Sequence, residues 1–338
     1  MSTEHTAPSP ILFFETVNAY QRSAAIKAAV ELDVFTAIGE GNRTAQSMAE
    51  RCRASERGLR ILCDYLSVAG FLTKDGDGYG LTPDSSFFLD KRSPAYMGGS
   101  IGFLLSPMLK EGFENLTEAV RRGGTAMPDE GTVTAEHPVW VQFARAMAPM
   151  MAMPAQLMAQ LVASESAGRL KVLDIAAGHG MYGIAVAGQN PQAEIVAVDW
   201  PNVLEVAKEN AERAGLNDRY STIPGSAFEV DFGKDYDLVL LTNFLHHFDR
   251  ETCVSVLRKV HGALAQGGRA VTVEFVPNED RISPPPSAMF SLVMLSSTPK
   301  GDAYTFKEFD EMLKSAGFSR NELHQLQPTP QQVIISYK

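Results

Sequence analysis

One ten-residue stretch, "DIAAGHGMYG" at positions 174–183, limits what this chain can fold into more than any other. It follows the apolar pair Val172-Leu173 and sets Gly178, Gly180 and Gly183 at the G-x-G-x-x-G spacing of a strand-to-helix turn whose backbone comes close to a ligand. From residue 169 onward the surroundings suit such a turn. The runs "LKVLDIA", "EIVAVD", "YSTIPG", "DLVLLTN" and "RAVTVEFV" are short and apolar, and helix-like segments such as "VLEVAKENAERAG" and "ETCVSVLRKVHGALAQ" separate several of them. Near-continuous apolar strands in a βαβ series predict a parallel sheet covered on both faces. The tail "ELHQLQPTPQQVIISYK" predicts a closing antiparallel pair around Pro328-Thr329-Pro330.

The glycine turn alone does not choose its ligand, but the charges around it do. Asp174 ends the first strand and Asp199 the second, 25 residues later, and a carboxylate at Asp199 suits the ribose diol of any adenosyl cofactor. No Lys or Arg occurs between Val172 and Ala207, whereas Asp174, Glu194, Asp199 and Glu205 are acidic. Two like unit charges 4 Å apart repel by about 4 kcal/mol at an effective dielectric near 20, so a pyrophosphate is disfavoured here. S-adenosylmethionine (SAM), with an ammonium and a sulfonium and no phosphate, turns the same carboxylates into attractions. A nicotinamide oxidoreductase remains the alternative on this turn.

Upstream, residues 1–95 read as short helices and a hairpin. Thr44 and Ser55 are predicted N-caps, a helix stops at Gly70, and Asp75-Gly76-Asp77-Gly78 is a turn between two short strands. Helix, turn, helix and hairpin make a winged-helix pattern, which raises a DNA-binding regulator as a further alternative. Arg51, Arg53, Arg57 and Arg60 are interleaved with Glu50, Glu56 and Asp64, and the whole chain carries −10, so no nucleic-acid partner is expected. Residues 96–168 read as a helical connector with Met147, Met150, Met151, Met153 and Met158, suited either to core packing or to an adaptable ligand wall. The run "SPPPS" at 283–287 reads as a stiff loop.

No apolar run reaches 18 residues, and "MSTEHTAPSP" lacks a signal peptide's basic and apolar regions, so no membrane partner is expected and a cytoplasmic location is. Cys52, Cys63 and Cys253 are odd in number with no C-x-x-C spacing, and His246-His247 has no further ligand spacing beside it. Neither a disulfide framework nor a metal site is therefore expected.

The segments "AAIKAAVELDVFTAI", "YGLTPDSSFFL", "FARAM", "VLDIAAGHG", "VAVDWPNV", "LHHFDRETCVSVLRKVHGAL", "GGRAVTVEFV" and "YTFKEFDEMLKSAGF" resemble the two-domain class I O-methyltransferases of the caffeic acid and hydroxyindole type, with their bacterial small-molecule branch. The resemblance implies an α/β fold: a Rossmann-like SAM domain at 169–338, with a mostly parallel seven-stranded sheet ending in an antiparallel hairpin, preceded by a winged-helix dimerisation domain and a homodimer. It implies SAM contacts at Asp174, Gly178, Gly180, Asp199, Trp200, Gly225, Ser226, Phe228, Thr242 and Asn243. Relatives have more glycine at Ala176-Ala177 and an acid at Ser226, leaving adenine to Phe228 or the Ser226 hydroxyl.

For chemistry the resemblance implies His246 as general base. Glu274, 28 residues later, would orient it. His247 stands where relatives carry an acid, and Ala303 where plant members carry a second glutamate. Phe143, Met147, Met289, Phe290 and Met294, with Leu292 and Val293, are candidates for an acceptor site for a small, aromatic molecule. The expected reaction is methyl transfer to a hydroxyl, expected to be phenolic, with transfer to carbon or nitrogen as the alternative.

Overall fold

A computed structural model describes residues 8–128, 130–163 and 168–338; the first seven residues of the stretch read for a leader, and 129 and 164–167 in the expected connector, lie outside it. The chain divides into two compact units, Met1–Leu105 and Ser106–Lys338.

In the first unit, helices Ile11–Val17, Ala19–Glu31 and Val34–Gly39 precede the pair Ala45–Cys52 and Glu56–Val68. Thr44 and Ser55 cap that pair by accepting the N–H groups of Ser47 and Gly58. A two-residue turn then joins strand β1 (Leu72–Asp75) to β2 (Gly78–Leu81), with Gly76 at φ +55°, and a single isolated bridge pairs Thr44 with Gly78. This is the winged-helix pattern. Its core is Val34, Phe35, Ile38, Met48, Leu59, Cys63, Leu66, Leu72 and Tyr79. By contrast Ile11, Leu12, Phe13, Phe14, Val17 and Tyr20 are exposed in this unit.

The second unit is built on strands β3 (Leu170–Ile175), β4 (Ala193–Asp199), β5 (Tyr220–Pro224), β6 (Tyr236–Thr242), β7 (Leu264–Glu274), β8 (Arg320–Gln325) and β9 (Gln332–Tyr337). They form one sheet in the order β5-β4-β3-β6-β7-β9-β8. The first five are parallel and β9 pairs antiparallel with both β7 and β8, as the pattern of runs predicts. Order reverses between β3 and β6, so the strand ends there open a crevice. Helices Arg250–Ala263 and Phe306–Ala316 bury Val256, Leu257, Val260, Phe309 and Leu313 against Leu173, Ile175, Val239 and Leu241 on one face. Helices Val139–Ala163, Met181–Gln189 and Pro201–Arg213 pack with one another and with the strands β3 to β5.

One local expectation is corrected. Residues 283–287 are not wholly a loop, because Pro285, Pro286 and Ser287 open the helix Pro285–Ser297. Proline suits a first helical turn, where its missing N–H has no intrahelical partner to lose.

The turn after β3 takes its shape from left-handed residues at Ala176, Gly178 and Gly180, with φ of 52°, 57° and 73°. At Gly180 a Cβ would lie 2.7 Å from the Tyr220 hydroxyl and 3.2 Å from Ala207. Left-handed backbone costs an alanine about 1–2 kcal/mol and overpacking about 1–3 more. Gly180→Ala is therefore expected to lower unfolding free energy by roughly 2–5 kcal/mol in urea titration; an unchanged midpoint would show that the helix start has slack.

Candidate active site

Each glycine of the turn meets a different constraint. Gly178 faces open space, with only the Ala176 carbonyl oxygen near, at 3.9 Å from a built Cβ. Its N–H donates to Asp199 Oδ2 at 2.8 Å, while the Trp200 N–H donates to Asp199 Oδ1 at 2.7 Å. Gly183 donates to Asp174 Oδ2 at 3.1 Å, and a Cβ there would stand 2.9 Å from that oxygen, so the helix starts close over the strand only because the residue is glycine. Asp174 Oδ1 is buried without a partner. Burial pushes Asp174 up to about 7, opposed by the Gly183 N–H and reinforced by the charge of Asp199. Asp199 is likewise pushed up by burial, to about 6, against the Gly178 and Trp200 N–H groups.

The remaining expected cofactor residues surround this turn or lie at the neighbouring strand ends. Gly225, at φ +131°, donates to the Asp199 carbonyl at 2.9 Å, and a Cβ there would lie 2.7 Å from Val230. Ser226 Oγ accepts from the Phe228 N–H at 3.3 Å. Phe228 is 39% exposed, with its ring 5.0 Å from Phe248 and 6.0 Å from Phe244. Thr242 is buried at the end of β6. The next residue, Asn243, has φ +53°, and its Nδ2 donates to the Tyr182 hydroxyl at 3.3 Å while its Oδ1 is buried without a partner. Trp200 packs on Ala144, Val203 and Val206.

The loop after β6 carries His246, and the end of β7 carries Glu274; both are buried. Glu274 Oε2 lies 2.5 Å from His246 Nδ1. The other oxygen, Oε1, accepts the N–H groups of Phe244 at 3.0 Å, Leu245 at 2.9 Å and His246 at 3.4 Å. A carboxylate only accepts, so Nδ1 donates to Glu274 and Nε2 is the ring nitrogen that this bond leaves free. The geometry therefore fixes the orientation of the imidazole. His247 differs: burial, with the neighbouring His246, holds it well below the usual histidine range, and its Nδ1 has no partner.

Aromatic rings run continuously past this pair. Phe275 stacks on Phe290 at 4.1 Å, Phe290 meets His246 edge-on at 4.9 Å, and His246 lies 4.3 Å from His247. The line continues through Trp140, Phe143 and His179 to Tyr182, at 5.2, 5.8, 6.2 and 6.1 Å from ring to ring. Of the expected acceptor residues, Phe143 and Phe290 stand in this line. Met147 and Met294 are buried, and Met289 is 65% exposed outside it. Ala303 is fully buried. Trp140, His179, Tyr182 and Phe275 were not singled out from sequence. Only His179 carried a visible signal, as a ring between two glycines of the turn. Its burial depresses it to about 4. Among the described residues no three His, Cys, Asp or Glu side chains stand together as a metal site, and no helix is long and apolar enough to cross a membrane.

Known proteins place this geometry. The O-methyltransferase domain family matches residues 113–319, and the O-methyltransferase dimerisation domain family matches 14–91. A Nostoc punctiforme protein of solved structure, provisionally assigned as an O-methyltransferase, is 63% identical with TM-score 0.95, over 98% of this chain and 100% of that one. The 3-hydroxy-5-methyl-1-naphthoate 3-O-methyltransferase of Streptomyces sahachiroi is 26% identical over 92% of this chain and 90% of its own length. Human N-acetylserotonin methyltransferase, solved in complex with SAM, shares the fold at 22% identity and TM-score 0.84, over 100% of this chain and 99% of its own. With the domain match running through the glycine turn, His246 and Glu274, this chain belongs to the O-methyltransferase family.

Proposed function

We propose that the protein transfers a methyl group from SAM to a phenolic hydroxyl of a small aromatic molecule, with His246 as general base. The observation that carries the reading is the Nε2 atom of His246, held by Glu274 in a row of aromatic rings. The named Streptomyces relative acts on a hydroxynaphthoate, an acceptor of this class.

The residues around the turn fit SAM on their own chemistry. Asp174 Oδ1 and Asn243 Oδ1 are buried acceptors without donors, Gly178 leaves room for close approach, and no cation stands between 172 and 207 to favour phosphate. Asp174, Gly178 and Gly180 would hold the cationic end, and Asp199 would take the ribose diol. Gly225, Ser226, the exposed ring of Phe228, Trp200, Thr242 and Asn243 would border the rest. When bound, SAM supplies an already activated methyl whose carrier leaves as a neutral thioether. What falls to the protein is alignment and removal of one proton. His246 Nε2 would take the proton of the hydroxyl, and Glu274 would stabilise the imidazolium that results. Trp140, Phe143, Phe290 and the neutral ring of His247 would flank a flat acceptor, with Met147, Met289 and Met294 further out.

For the domains we propose dimerisation through 1–95, with 96–168 lending Trp140 and Phe143 to the acceptor side and 169–338 holding the cofactor. The exposed apolar stripe from Ile11 to Tyr20 supports a homodimer, since a patch of that kind marks an interaction surface. Three unpaired cysteines suit a reducing compartment such as the cytoplasm.

Incubation with methyl-labelled SAM and a panel of hydroxynaphthoates and simpler phenols should yield a labelled O-methyl ether by NMR. Label on carbon or nitrogen would reassign the reaction. His246→Ala is expected to lower kcat by about 10²–10⁴-fold, the usual worth of a general base, with S-adenosylhomocysteine (SAH) affinity within about threefold; unchanged turnover would remove His246 from the mechanism.

Cofactor binding should also depend on pH. Asp174 and Asp199 sit above their ordinary value of 3.8, so in the free protein they favour folding most below that value, and the advantage is lost as pH rises through about 6 and about 7. A cation in the site favours the ionised forms. SAH affinity by calorimetry should therefore rise from pH 5.5 to about 7 with proton release, and level off above; a flat profile would separate these carboxylates from the ligand.

A further inference from the structure

Tyr182 is 1% exposed, lies in the first turn of the helix Met181–Gln189 after the glycine turn, and has no part in the chemistry above. Its ring lies 6.1 Å from that of His179, a residue of the turn, at an interplanar angle of 28°. Its hydroxyl accepts from Asn243 Nδ2 at 3.3 Å and directs its own proton at Met151 sulfur, 3.7 Å away and a weak acceptor. A phenylalanine would fill the same space without burying a hydroxyl, so the polar atom needs a reason, and the bond to Asn243 is the strong one it makes.

Asn243 is the residue from which the His246 loop departs. Its φ of +53° is left-handed, a conformation that a non-glycine residue keeps only where its surroundings enforce it. Two restraints do so. The backbone N–H donates to the Val273 carbonyl at 2.8 Å, next to Glu274, and the side chain is tied to Tyr182. Without the phenol, both ends of the carboxamide would be unpartnered.

Resting on the reading that the glycine turn takes the cofactor and His246 is the base, we propose that Tyr182 is a positioning residue: stacked on the cofactor turn and bonded to Asn243, it fixes the loop carrying the base with respect to that turn. It acts through Asn243 and touches neither reactant.

Tyr182→Phe keeps the ring stack and removes the hydroxyl. Hydrogen–deuterium exchange of the ligand-free protein should then show the amides of Phe244, Leu245 and His246 exchanging about tenfold faster, the equivalent of one net hydrogen bond, with the β4 amides unchanged. Asn243→Ala should loosen the same amides, and the double variant should add little to either change. In Tyr182→Phe alone, SAH affinity should stay within about threefold, whereas kcat on a phenol that the wild-type protein methylates should fall about tenfold at a nearly constant acceptor KM. Equal exchange at 244–246, or loosening spread evenly over the sheet, overturns the proposal, as does an acceptor KM that moves while kcat does not. Failure of SAH to bind the wild-type protein would instead sink the cofactor reading, and the ligand-free exchange comparison would still decide the role of Tyr182.

Discussion

The buried carboxylate of Glu274 is the constraint on which the site depends. One oxygen gathers the N–H groups of three consecutive residues, Phe244, Leu245 and His246, and the other fixes the imidazole of His246. Leaving a buried donor unpaired costs about 1–3 kcal/mol, so the loop could not keep this shape around an apolar residue at 274. The carboxylate reaches the loop because β6 and β7 run parallel, with Thr242 opposite Val273. Strand register, decided along the whole sheet, thereby sets where the His246 imidazole stands.

Charge does comparable work on the other side of the crevice. Asp174 and Asp199 lie below the glycine turn with backbone N–H groups as their partners and no basic side chain nearby in sequence. Burying carboxylates in this way is unfavourable in the empty protein, which is why burial raises both. A site that holds this charge in reserve is relieved by a cation.

Three histidines stand within one line of rings and differ through their surroundings. His246 has a carboxylate partner. His247 and His179 do not, and burial favours the neutral form of each. His179 accepts the Met181 N–H on Nδ1 at 3.1 Å, which ties its ring to the start of the helix after the turn. Aromatic pairs prefer offset or edge-on contacts, and the row from Phe275 to Tyr182 mixes both.

How much of this was legible beforehand follows the range of each interaction. Alternation of apolar runs and amphipathic helices, the capping residues Thr44 and Ser55, and the hairpin at Gly76 are local patterns, and they appear in the structure where the sequence put them. The prolines at 285 and 286 misled because the same residue that stiffens a loop also opens a helix. His246 and Glu274 could be paired only through a family resemblance, since 28 residues of chain separate them. What the sequence determined by itself was the order of strands, the glycine turn and the acidity around it, all consequences of chemistry among near neighbours. Only the tertiary structure decided that Trp140, His179 and Tyr182 belong to one row of rings, that Asn243 is held by a phenol 61 residues away, and which histidine has a carboxylate partner. Burial and partner geometry, which set those properties, exist only once distant segments have packed together.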